Sequence, residues 1–596
     1  HGERRQHPFT DKSKYSEKFA PSRQDYYFRY NVAMQLHLIG DSLMGWMAWD
    51  TMRGVDLLLS KGADPKRIIL LGSVAGGGDP CAVAAALDKR ITAAVPFNFG
   101  GPQPETRYPL PDDAKTFFNY AGGGSWESTR NLRLSCRDGF LPWMIVGSQA
   151  PRGLVYAHEF AWDQEKDPVW RRLQKIYGFY DATNRLDWTK GKGSVRGKAG
   201  PDNTHCNNIG AVHRERIYPA LQKWFDMPVP EKEYRERFPS KDLQCLTRDI
   251  KMKPLFELAG EIGGQRAEAA RKRLAKSSPE QGRQQLRQEW ARLLNSPKLA
   301  DVDVDFIRKN KLGKYGFAWN ILLHTGEKSE RIDIPLTLFI PFDHQRVVVA
   351  LAQEGKAGFL KHRAETIAGL LKDKVAVCLP DLRGTGESKL GDSRGRASYS
   401  TSISATEWML GRTMLGDRLH DLRAVLKFLK GSDVGAQHIA LWGDSFAPVN
   451  SSETPVAVPL DAAKLPAQSE PLGGLLALFG ALYEPDIKAV YARGGLAGYQ
   501  SILQSPFCYV PHDAVLPGAL TAGDLCDVAA ALAPRPLRLE GLVDGLDQQV
   551  SDKALQQTYE PALAAYRTAD AAKRLNVQRE ALSQKQLAEW FVTQLK

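Results

Sequence analysis

The stretch GSVAGGGDP, Gly72 to Pro80, follows the apolar run RIILL (67–71) and precedes the helix-like CAVAAALDKR (81–90). Strand, tight glycine turn, helix: this is the setting in which a G-x-S-x-G motif holds a serine up for attack. Laid on Gly72–Gly76, that frame puts Val74 at the tip, where the serine belongs. Ser73 stands one residue early, so its side chain is expected to point away from the tip. Asp79 falls inside the following helix. The glycines also suggest phosphate binding, but no G-K-[ST] follows, so that reading fails.

The chain has 596 residues, more than one ordinary core accommodates. Its 43% apolar and 25% charged residues are typical of globular protein. No apolar run is long enough to span a membrane. The net charge is +12, but 80 basic residues face 68 acidic ones without a Lys/Arg block. No nucleic-acid module signature accompanies it, so a mildly basic surface is the expectation. The seven cysteines show no CxxC or Cys/His spacing, so neither metal nor cofactor is expected. Cys378, in VAVCLPD, reads as a buried thiol. The chain opens on HGERRQHP without an initiator methionine and reads as processed or truncated.

Residues 1–226 alternate strand-like runs (RIILLG, ITAAVPFNFG, PWMIVGS, GLVYAHEF) with helical stretches, which predicts a mostly parallel sheet covered by helices. Residues 227–300 are charged and rich in Ala, Arg and Gln, and read as a linker of one or two amphipathic helices broken near Pro279. Residues 301–596 open with antiparallel segments, then resume the alternation. The two halves echo each other: RIILLGSVAGG matches HIALWGDSFAP, and APRGLVYAHEF matches APRPLRLEGLVDG, in the same order. Two α/β domains joined by a helical linker are therefore expected, 1–226 and 301–596, as a duplication of one fold.

In the second half, LWGDSFA sets Ser445 in G-x-S-x, with Ala447 in place of the last glycine. The Phe446 N–H would supply one oxyanion donor, and the loop holding Gln353, Glu354 and Gly355 the other. Asp544, with Asp547 as a spare, follows a later strand and fits the acid of a Ser-His-Asp set. No histidine occurs beyond His512, in YVPHDAVLPG, which leaves that residue as the candidate base. In the first half the pattern is reversed. Glu159 ends a strand, ahead of Asp163 and Asp167 as the acid, and His205 lies in the polar loop DNTHCNNIG before a helix. Acid and base are then present, and the nucleophile is missing.

These motifs resemble the α/β-hydrolase superfamily, and within it acetylxylan and glucuronoyl esterases. RIILLGSVAGGGDPCAVAAALDKRITAAVPF is similar to their elbow, helix and next strand. APRGLVYAHEF with THCNN is similar to the acid and histidine segments of glucuronoyl esterases, which implies an acid role for Glu159 and a base role for His205. DLRGTGES, GDSFA and APRPL resemble the dipeptidyl-peptidase and acetylxylan-esterase branch. The resemblance implies a serine esterase acting on an acylated carbohydrate or small ester, without nucleic-acid or membrane partners, and an exported location through that substrate class alone. The alternative is a catalytically degenerate pair that binds carbohydrate or serves a structural role.

Overall fold

The computed structural model describes residues 21–99, 132–165, 167–193, 209–233, 236, 238–243, 253–296, 301–326, 331–393, 395–459 and 462–596. Two compact units emerge. The first comprises residues 1–6, 42–253 and 408–411, and the second residues 7–41, 254–407 and 412–596.

The first unit is built on four parallel strands in simple order: β1 (Ile69–Ser73), β2 (Ala93–Phe97), β3 (Gly153–His158) and β4 (Leu186–Lys190). β2 and β3 are buried along their whole length, as expected of parallel strands covered on both faces. One face packs on Ile217, Ala220, Leu221 and Trp224 of helix Ala211–Phe225. The other carries Tyr156, Trp162, Trp170 and Tyr177. PWMIVGS, expected as a strand, is instead helix Pro142–Gly147. Pro142 sits in its first turn, where the missing N–H costs nothing.

The second unit carries a nine-stranded sheet. Its strands are β5 (Val302–Lys311), β6 (Phe317–Thr325), β7 (Ile332–Ile340), β8 (Arg346–Leu351), β9 (Val375–Pro380), β10 (His438–Gly443), β11 (Ile487–Arg493), β12 (Leu537–Glu540) and β13 (Leu575–Gln578), in the order β13-β12-β11-β10-β8-β9-β7-β6-β5. β5, β6 and β7 pair antiparallel and β7 runs antiparallel to β9; the strands from β9 to β13 are parallel. A crossed pair before a run of parallel strands, with one antiparallel neighbour, is the arrangement of an α/β-hydrolase sheet. β1–β4 repeat the order and direction of β10–β13. The peptide bonds Ala150–Pro151 and Ala533–Pro534, ahead of β3 and β12, are both cis.

Two segments cluster differently from the boundaries expected from sequence. Helix Pro21–Leu38 belongs to the second unit, where Gln35 Nε2 donates to the carbonyls of Ile502 and Ser505. The 227–300 stretch yields helices Leu255–Leu274 and Pro279–Leu294, broken where Ser278 caps the second. Both belong to the second unit. A Cβ on Gly263 would meet Leu503 and Leu520, and Trp290 is fully buried beside Phe479. An apolar stripe of small residues and leucines finds a partner surface, so these helices are core rather than linker.

Candidate functional site

The two halves differ most at the junction between the strand and the helix that would carry a nucleophile. In the first unit, β1 passes directly into helix Val74–Leu87, with Ser73 as its N-cap. A Cβ on Gly72 would overlap the Gly77 carbonyl, and one on Gly78 the Phe97 carbonyl. Only glycine allows that approach of turn to strand. The first residue of the helix is Val74, and the Ser73 hydroxyl is a buried oxygen without a hydrogen-bond partner.

In the second unit, β10 ends at Gly443 and, among the described residues, no helix begins until Leu472–Tyr483. Ser445 therefore does not stand at a strand–helix elbow, contrary to the sequence expectation. Its φ is not positive, so Ser445 does not carry the strained backbone of that turn. The helix that closes on β10 is the later one: a Cβ on Gly443 would overlap the Gly473 carbonyl, and one on Gly473 the Leu351 carbonyl. Residues 445–459 and 462–471 loop out between these two contacts. Pro448 and Pro455 lie where the helix was expected, and proline interrupts a helix interior.

The loop carries Ser445 toward β11. A Cβ on Gly494, at the end of that strand, would lie 2.8 Å from Ser445 Cβ and 3.4 Å from its Oγ. The Phe446 ring turns the other way, stacked on His362 at 5.1 Å and edge-on to Phe359 at 5.2 Å. Beneath both, Asp444 is fully buried. Arg363 donates to it at 2.7 and 3.0 Å and Trp442 Nε1 at 3.2 Å. Burial pushes its carboxyl above the usual range against the pull of Arg363.

A cavity of about 360 Å³ lies at the carboxyl ends of β8 and β9. Gln353 and Glu354 line it, as expected for the loop after β8; Gly355 begins the next helix and is pressed on Asp381, which a Cβ would overlap. Ser445, Asp544 and His512 do not line it. Arg383, Glu407, Arg418 and Glu470 do, and sequence reasoning singled out none of them. Glu470 directly precedes the P-L-G-G that starts the true helix, the one local signal that could have marked it. Its Oε2 accepts the Phe446 N–H at 3.2 Å. The donor expected to stabilise an oxyanion is thus engaged by a carboxylate.

Arg418 is 1% exposed. Its Nε donates to the Arg383 carbonyl at 2.9 Å and its Nη2 pairs with Asp513 at 2.8 Å, while Nη1 is buried without a hydrogen-bond partner. Arg383 is held by Asp421, at 2.8 Å from Nε and 2.5 Å from Nη2. Burial raises the Glu407 carboxyl, and nearby Asp417 raises it further.

His512 lies behind helix Tyr399–Met409. Its Nδ1 is 2.9 Å from Ser404 Oγ and its ring stacks on Tyr30 at 6.1 Å. Burial lowers its pKa to about 4. Among the described residues no hydrogen bond joins it to Ser445. Asp544 does follow β12, but its Oδ1 accepts the N–H groups of Leu546 and Gln548, both at 2.9 Å, and so closes its own turn. Burial raises its carboxyl. Asp547 is buried with φ +58° in the same turn.

In the first unit Glu159 does sit past the end of β3, 3% exposed. Asn98, just after β2, grips it twice: Nδ2 donates to Oε2 at 2.7 Å, and Oδ1 accepts the Glu159 N–H at 2.8 Å. His213 Nε2 is 3.1 Å from the Glu159 carbonyl. Its Nδ1 accepts the Gly210 N–H, so Nε2 carries the proton. Neither Asn98 nor His213 was anticipated. Asp167 caps helix Pro168–Gly178 and holds Trp162 Nε1 at 2.9 Å, which makes it structural. His205 lies outside the described residues.

Among the described residues no cluster of His, Cys, Asp or Glu could hold a metal ion, and no single helix is long and apolar enough to cross a membrane. No family model and no curated protein matches the chain. Solved structures do. One is assigned as an acetyl xylan esterase from Bacteroides fragilis, at 12% identity over 58% of this chain and 87% of that one, with a TM-score of 0.39. A methylesterase matches at 15% identity over 56% and 70%, TM-score 0.36. A glucuronoyl esterase from Teredinibacter turnerae matches at 12% over 50% and 78%, TM-score 0.34. These likenesses concern fold and leave substrate and mechanism open. By the order and direction of its strands, the chain has an α/β-hydrolase fold.

Proposed function

We propose that this is a tandem α/β-hydrolase-fold protein whose second unit binds a carbohydrate in the cavity over β8 and β9 and does not cleave esters through a serine. Glu470 carries the reading: its carboxylate lines that cavity and takes the Phe446 N–H. Acyl transfer develops negative charge on an oxygen at such donors. A carboxylate already there repels it, and more strongly than in water. The lining favours a polyhydroxylated ligand. Glu354, Glu407 and Glu470 accept from hydroxyls, Lys389 and Arg418 donate, and Leu390, Ile403 and Met414 offer apolar contact. The unpartnered Arg418 Nη1 is costly when buried and gains an acceptor from such a ligand.

The test is twofold. The full chain is titrated calorimetrically with acetylated and plain xylo-oligosaccharides, and treated with a fluorophosphonate followed by peptide mapping. Saturable binding that Ile403→Trp abolishes by filling the cavity, with no adduct on Ser445, is the expected result. A second reading rests on Ser445 and Asp544 following β10 and β12, on either side of β11. It makes Ser445 the nucleophile, His512 the base and Asp544 the orienting acid of a carbohydrate esterase. An adduct on Ser445 that disappears in Ser445→Ala would establish it and overturn the binding-only reading.

A further inference from the structure

We propose that β5 is a docking edge for a second copy of this chain, pairing antiparallel with its own counterpart about a two-fold axis. β5 ends the nine-stranded sheet and, among the described residues, pairs only with β6. From Phe306 onward its residues are exposed, with Ile307 66% and Phe306 37% accessible. An edge of this length presents unpaired N–H and C=O groups to any strand that fits.

The fit is encoded in VDVDFIRKNK. Acidic residues, Asp303 and Asp305, fill the first half, and basic residues, Arg308, Lys309 and Lys311, the second. The register against β6 shifts between Phe306 and Arg308, so Ile307 is an extra, bulged residue. That shift matters for the faces. Asp305 stands opposite Leu322 and Arg308 opposite Asn320. Leu322 and Asn320 are two apart on β6, so Asp305 and Arg308 share a face despite being three apart.

A two-fold antiparallel pairing centred between Phe306 and Ile307 sets Asp305 opposite Arg308 of the second copy, and the reverse. Phe306 then meets Ile307 of the second copy at the apolar centre, and Asp303 meets Asn310. Each contact occurs twice, because an isologous interface is its own complement. Opposite charges directly across a strand pair stabilise it, and like charges oppose it. A parallel pairing in register would set Asp on Asp and Arg on Arg. Lys309, the residue that would otherwise blunt the edge, lies folded with its ammonium 4.1 Å from the Phe306 ring and 4.7 Å from Trp319.

A strand edge buries less than a standard interface, so association in the roughly micromolar range is expected. Sedimentation of the full chain across about 1–100 μM reads it directly. A dimer is expected, weakened about tenfold or more by Arg308→Asp and restored by the double swap D305R/R308D. Asp305 also contacts His324 at 2.9 Å, so the swap is checked by its melting curve. Ile307→Lys, at an exposed site, is the independent variant and also weakens the dimer. A chain that stays monomeric overturns the proposal. So does a dimer left intact by both R308D and I307K, or a normally melting swap that fails to recover it.

Discussion

The two strand-to-helix junctions make the sharpest contrast in the molecule. β1 runs straight into its helix at Val74, in the shape of an elbow but without a hydroxyl at its tip. β10 is followed by a serine, but the helix that packs on it is Leu472–Tyr483, and Ser445 lies against Gly494 and does not line the cavity. Both junctions nevertheless press glycines into the neighbouring backbone: Gly72 on Gly77, Gly443 on Gly473. What persists in both units is the packing of helix against strand. That contact is a packing requirement of the fold and does not depend on a nucleophile.

The largest effect is expected from restoring what the first unit lacks. Val74→Ser supplies a hydroxyl where β1 passes into its helix, in the unit that holds Glu159 past β3. Fluorophosphonate should then label position 74, and hydrolysis of an activated aryl ester should rise roughly 100-fold over wild type. An unlabelled, well-folded variant would show that Glu159 and His205 do not serve that turn.

Acid sharpens the comparison next. Burial lowers His158 to about 3 and His512 to about 4, from an ordinary 6.5. Each is therefore neutral in the fold and binds a proton more readily when unfolded. Its contribution is fully present above pH 6.5 and is lost as the pH falls toward the lowered value. The loss approaches about 5 kcal/mol for His158 by pH 3 and about 3 kcal/mol for His512 by pH 4. Denaturant melts of each unit at stepped pH should show the first unit failing first, with His158→Phe and His512→Gln flattening the respective slopes. Equal acid slopes in wild type and variants would break this account.

The junction glycines should then behave alike. Gly72→Ala and Gly443→Ala each force a Cβ into a carbonyl and should cost about 3 kcal/mol, measured by thermal or urea unfolding. A loss below about 1 kcal/mol at one of them would mean that its turn can relax, and that the likeness between the junctions is only topological.

Most of the fold was legible because it rests on short-range pattern. The apolar runs 69–73, 93–97 and 153–158 and those of the second half are strands as expected, and the repeated APR segments lead into β3 and β12. PWMIVGS misled because a short apolar run does not distinguish strand from helix; Pro142 was the cue for a helix start. GDSFA misled for a different reason. The motif specifies a turn only where a helix can follow, and PVNSSETPVAVP does not make one. The helix that does pack there begins at LGGLLAL, beyond the loop.

The sequence alone determined the apolar runs that become strands, their recurrence in the two halves, the strand-end position of Glu159 and the valine at position 74. Those are properties of periodicity and of single residues in a local frame. Only the tertiary structure decided that His512 and Asp544 hold partners other than Ser445, and that Glu470, Arg418, Arg383 and Glu407 converge on one cavity. Their convergence depends on where a loop closes and on which buried charge finds which partner. Separations from Arg383 to Glu470 along the chain hide that from any reading of spacing, because long-range contacts are chosen by packing and desolvation.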